Sequence, residues 1–130
     1  MSEDSAGVGP LASAISNAVV RRIAETTGRG PTKARTTIGT DAIFVVVQDT
    51  LTKGERVLAA CDDTELVLRM REAWGRAVRE PLRRDVEELT GRRVTGLLNA
   101  QLVEPDVAVQ VFILEPMPVE RDVGEDEAAA

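Results

Sequence analysis

Pro105-Asp106-Val107-Ala108-Val109-Gln110-Val111-Phe112-Ile113-Leu114, residues 105–114, is the stretch that decides the fold. A strand with one face on a core and the other in water alternates apolar and polar side chains. This run does not. Val107, Val109, Val111 and Ile113 belong to one face, Ala108, Phe112 and Leu114 to the other, and Gln110 is the one polar residue inside the apolar run. Ile43-Phe44-Val45-Val46-Val47 lacks alternation in the same way. Both read as central strands of a sheet that needs cover on two sides. Helices of the same chain can cover one side. The other calls for the remaining helices, a second copy or a partner, and a homodimer through an apolar sheet face is the expected answer.

Working outward, the segment from Pro10 to Thr27 places Leu11, Ile15, Val19 (with Ala18) and Ile23 at helical spacing. Pro10 suits the first helical position and Gly28 the stop. Lys33–Gly39 and Ala42–Leu51 are rich in β-branched residues and flank Gly39-Thr40-Asp41, a hairpin turn. Thr52-Lys53-Gly54-Glu55 has the form of a capping box and predicts a short helix to about Ala60. Asp62 with Glu65 repeats that form and predicts the start of a longer helix. Its stripe is Val67, Met70, Trp74, Val78, Leu82, Val86 and Leu89. Pro81 lies inside it, and a kink or break is expected there, because proline lacks the N–H and crowds the preceding turn. Gly91 ends the helix, and two further strands follow, joined near Glu104-Pro105-Asp106.

The fold class read from this order is α+β, a two-layer αββααββ domain with a four-stranded, mainly antiparallel sheet packed by helices. The halves resemble each other. Glu25-Thr26-Thr27-Gly28-Arg29 before the first hairpin matches Glu88-Leu89-Thr90-Gly91-Arg92 before the second, at one constant offset. A duplicated helix–hairpin unit explains this; so does the common use of glycine and a base wherever a helix meets a strand.

Residues 10–114 read as a single domain, 1–9 as a disordered N-terminal segment and 115–130 as an acidic disordered tail. The formal charge of −6 belongs to these ends: residues 115–130 hold six acids against one base, and the body is close to neutral. Nucleic acid is not expected as a partner of such a body. There is no histidine and no tyrosine, and Cys61 is the sole cysteine. Histidine-dependent triads, imidazole general bases and cysteine metal clusters are thereby excluded. Asp62-Asp63 and Asp85, Glu87 and Glu88 are better placed for capping or for a helix surface than for acid–base work. Cys61, beside two aspartates, reads as inert, and Trp74 as core. The arginines and acids of the long helix read as a solvated, mixed-charge face with weak pairs. No catalytic residue, metal or cofactor is expected. The N-terminus lacks the pattern of a secretory signal and no apolar run is long enough to span a bilayer, so a cytoplasmic protein is expected.

The densest constellation is Gly28-Arg29-Gly30-Pro31-Thr32-Lys33-Ala34-Arg35. Glycines let a backbone approach a ligand, and Arg29, Lys33 and Arg35 favour a small anion or a partner's acidic group. The same residues also serve as a plain helix cap, with Arg29 on terminal carbonyls and Arg35 paired to an acid. Gly28, Arg29, Gly30, Pro31, Lys33 and Arg35 are the candidate ligand- or partner-binding residues.

Taken in order, Gly28-Arg29-Gly30-Pro31 with Lys33 and Arg35, Leu51-Thr52 with Glu55, and Leu89-Thr90-Gly91-Arg92 resemble the MpsC-like family. That family is named after a soluble component of a sodium-translocating, membrane-potential-generating system. The resemblance covers about Leu11 to Leu114. It implies a non-enzymatic accessory or regulatory role beside a membrane transport protein for ions or inorganic carbon, and it supplies no catalytic residues to carry over. Pro81 and the acidic tail depart from the family pattern. The alternative is a free-standing domain that senses a small anion or metabolite without a membrane partner.

Overall fold

A computed structural model describes residues 9–116; the expectations for the N-terminal segment before Gly9 and for most of the acidic tail lie outside the described residues. The elements run α1 (Gly9–Thr27), β1 (Lys33–Ile38), β2 (Ala42–Gln48), α2 (Lys53–Ala60), α3 (Thr64–Thr90), β3 (Val94–Leu102) and β4 (Val107–Leu114). The strands form one antiparallel sheet in the order β1-β2-β4-β3. The α+β reading stands, with α1 and α3 packed on one face of the sheet.

Side-chain alternation decides which residues meet the helices. Ile43, Val45 and Val47 of β2 and Ala108, Phe112 and Leu114 of β4 are buried against Ile15, Val19 and Ile23 of α1 and Leu82 and Val86 of α3. Burying each of these valine, leucine, isoleucine and phenylalanine side chains contributes about 1.5–3 kcal/mol. Leu11 and Leu89, at the ends of the expected stripes, are instead exposed.

Two local expectations for α3 are corrected. Asp62 does not open it in a capping box: its φ is 66°, it forms the corner after α2, and Asp63 is the N-cap without a side-chain bond. Of the kink or break expected at Pro81, the break does not occur: the helix is continuous from Thr64 to Thr90. The flanking turns are held on the core by Val78, Leu82 and Val86. Ala77, whose carbonyl loses its helical partner at Pro81, is exposed, so water can take that bond. The first capping box is complete: Thr52 Oγ1 accepts from Glu55 N–H at 3.2 Å, and Glu55 Oε1 accepts from Thr52 N–H at 2.8 Å.

The halves repeat in geometry as well as in sequence. Gly28 and Gly91 both end their helices in the left-handed region, at φ 82° and 71°. Their N–H groups bond back to Ala24 O and Glu87 O, both at 2.8 Å. Thr27 and Thr90 hydroxyls bond Ile23 O and Val86 O, and each accepts from the N–H of the arginine two places on. Arg29 donates to the carbonyl of Asp49, just past β2; Arg92 donates to the carbonyl of Glu115, just past β4. The strands follow, since Thr36 lies opposite Val45 as Asn99 lies opposite Gln110. These features describe an approximate twofold relation between α1-β1-β2 and α3-β3-β4.

Candidate functional site

The Gly28–Arg35 loop is built from the end of α1 and the start of β1. Its principal base is already matched. Arg29 donates from Nη2 to Asp49 Oδ2 at 2.9 Å, and from Nη1 to the carbonyls of Asp49 and, at 3.3 Å, Leu51. Asp49 has a φ of 60° and also receives Arg56. The Arg29 guanidinium, ahead of the opposing effect of desolvation, holds the Asp49 carboxyl below its usual range. Asp106 ties the same corner together by accepting from Thr50 N–H, Thr50 Oγ1 and Leu51 N–H at 2.9–3.0 Å. Arg29 therefore braces the α1–β1 loop to the segment after β2, rather than capping the carbonyls of its own helix.

The remaining predicted residues divide. Gly30 packs against α1 beside Val20 and Ala24. Half-buried Pro31 leads into β1. Lys33 and Arg35 are exposed and lie opposite Gln48 and Val46, on the sheet face away from the helices. They therefore belong to the open sheet face rather than to the Arg29 brace.

That open face is apolar at its centre. Reading across the strands, Phe44, Val111 and Leu98 form one row; Val46, Val109 and Ala100 the next; Gln48, Val107 and Leu102 the third. Phe44 is 45% exposed, Leu98 62% and Leu102 55%, and no element of the described chain covers them. Thr37, Arg35 and Lys33 of edge strand β1 form its polar, basic margin. The missing alternation in Ile43–Val47 and Val107–Leu114 predicted this face correctly.

A second feature lies between the layers. A cavity of about 330 Å³ is lined by the end of α1 (Ile23, Thr26, Thr27), by Leu68, Arg71, Glu72, Trp74, Gly75 and Val78 of α3, and by Asn99, Gln101, Ala108 and Gln110 of the sheet, with Thr50 and Ala100. Arg71 stands over the Trp74 ring at 5.3 Å from its centroid. It also donates from Nε and Nη2 to Glu55, at 2.8 and 2.6 Å, and from Nη2 to Thr50 O at 2.6 Å. Glu55 is 1% exposed. Burial pushes its carboxyl upward, but Arg71 and the Thr52 N–H outweigh that and hold it below the usual range. Arg71 thus leaves the solvated face on which it was expected, and Trp74 is half-buried at the cavity wall rather than sealed in the core. The exposed helix surface does carry the expected weak pairs, such as Arg76 with Glu72 and Arg83 with Glu80.

No helix among the described residues is long and apolar enough to cross a membrane. The fold and its surfaces define a two-repeat α+β domain with an internally braced loop and an apolar sheet face that none of the described elements covers. The family model described as "Na+-translocating membrane potential-generating system (MpsC)" matches residues 8–116, and the chain belongs to that family. The family is thereby linked to a Na+-translocating membrane system. No curated protein and no solved structure matches the chain.

Proposed function

We propose that this chain is a non-enzymatic, cytoplasmic accessory component of a membrane ion-transport system, and that it works as a homodimer joined through its open sheet face. The row Phe44–Val111–Leu98, which none of the described elements covers, is the observation that carries the reading. A contiguous apolar face with a polar margin is the form of an interaction surface, since water disfavours leaving such an area bare. Membership of a family linked to Na+ translocation supports a transport protein as the further partner. Lys33 and Arg35 give the margin of that face its positive charge, which suits a partner's acidic groups; Arg29 holds the loop that leads to them.

The test is capture from native membranes with a tagged chain. Recovery of an integral ion-transport protein, lost when Lys33 and Arg35 are both replaced by glutamate while the fold is kept, supports the accessory role. Recovery of no integral membrane protein, or recovery that ignores those replacements, contradicts it.

A further inference from the structure

We infer that the cavity between α3 and the sheet is a binding site for a neutral, flat heterocycle of nucleobase type, bound through an edge that presents a hydrogen-bond donor beside an acceptor. The twofold relation between the halves shows how the site departs from a plain core. In the first half, the helix-facing pair at the centre of the hairpin is Thr36 with Val45; in the second half it is Asn99 with Gln110. Thr36 is satisfied by Ser16 at 2.7 Å and Val45 needs no partner. Gln110 is 7% exposed, and its Oε1 is buried without any hydrogen bond. An unmet buried amide oxygen costs about 1–3 kcal/mol, so a position that is apolar in one repeat and an unmet amide in the other is unfavourable for folding alone.

Neighbouring residues make room for that amide pair. Gly75 sits in mid-helix, where glycine costs about 1 kcal/mol relative to alanine. A Cβ there would lie 2.7 Å from Asn99 Nδ2, so the glycine leaves space for the Asn99 amide beneath α3. The volume, about 330 Å³, falls at the lower end of the roughly 300–1,000 Å³ typical of small-molecule sites.

Charge argues against an anion. Among the described residues, Arg71 is the sole base of the lining, and Glu55 already matches it. The other ionised group in the lining, Glu72, is an exposed acid. What remains is a sheet surface of carboxamides beside an indole. A side-chain carboxamide offers a donor and an acceptor side by side, the arrangement with which Asn and Gln read a base edge bidentately. Gln110 lines the cavity, so its amide can present one of its two ends to the ligand beside the Asn99 amide.

Trp74 is the only tryptophan of the chain, so its fluorescence reports this cavity alone. The experiment titrates the full chain with adenine, uracil, adenosine and AMP, exciting where the bases do not absorb. A saturable change with a free base or its nucleoside is expected, weakened about tenfold or more in Gln110→Leu and in Asn99→Ala. Gln110→Leu removes an unmet polar atom and should fold at least as well as the parent. Asn99 is only half-buried, so Asn99→Ala gives an independent folded variant. No saturable change with any of the four, a response to AMP alone, or responses undiminished in both variants would overturn the inference.

Discussion

Arg22 and Asp85 occupy the same place in the two halves, 63 positions apart, and they bond each other: Nε to Oδ2 at 2.7 Å and Nη2 to Oδ1 at 2.9 Å. Under a twofold relation, only residues beside the axis meet their own equivalents. Val45 and Gln110, equivalent by register, also pair directly in the sheet. The axis therefore passes between α1 and α3 at the first pair and between β2 and β4 at the second.

The Arg22 guanidinium, chiefly through its hydrogen bond, holds the Asp85 carboxyl below the ordinary carboxylate range, despite some desolvation. The sign follows from linkage. A carboxylate whose pKa is lower folded than unfolded contributes its full stability above the unfolded value of about 3.9, and that contribution fades as pH falls through the folded value. Asp85→Asn should lower the thermal midpoint by a few degrees at pH 7. The gap from the parent should close in strong acid. Melts across an acidic pH series, followed by circular dichroism, check both halves of this expectation.

The repeated helix ends predict equal responses. At Gly28 and Gly91 an added Cβ would meet nothing, so alanine is opposed only by the positive φ. Each single substitution should cost about 1 kcal/mol, and the two costs should add. Urea melts of the single and double variants measure this.

Glu55 and Arg71 should behave as a buried unit. Truncating Glu55 to alanine strands the Arg71 charge and leaves Thr52 N–H without its cap, so a loss of about 3 kcal/mol is expected. The emission of Trp74 should shift as well, since Arg71 sits over its ring. Chemical denaturation with tryptophan fluorescence reads both effects.

If Arg29 braces a loop, its charge is not available to a small anion. Arg29→Gln should lower the thermal midpoint by a few degrees. Neither the parent nor the variant should gain specific stability from phosphate or bicarbonate beyond that given by chloride at equal ionic strength. Selective stabilisation of the parent by either anion would restore the loop as an anion site.

Most of the architecture was legible because each strand and helix announced itself locally. Non-alternation in Ile43–Val47 and Val107–Leu114 placed the central strands and the open face, and Thr52 with Glu55 marked α2. The less legible features depended on contacts between distant segments. Pro81 stays helical because Val78 on one side and Leu82 and Val86 on the other anchor its flanks, a tertiary effect that outweighs local preference. Asp62 and Glu65 have capping spacing, but the chain corner sends Asp62 to positive φ. Arg29 finds its acid on a segment twenty residues away. The cavity had a faint signal, Gln110 inside an apolar run, whose meaning rests on Asn99 opposite it and Gly75 above.

Sedimentation equilibrium of the full chain, parent beside Phe44→Glu, asks whether the open sheet face joins two copies. Phe44 takes no part in the core, so the variant should keep its fold. The parent should be a dimer across the micromolar range, and Phe44→Glu a folded monomer. A parent that sediments as a monomer throughout, or a variant that dimerises as tightly as the parent, would contradict a homodimer joined through this face.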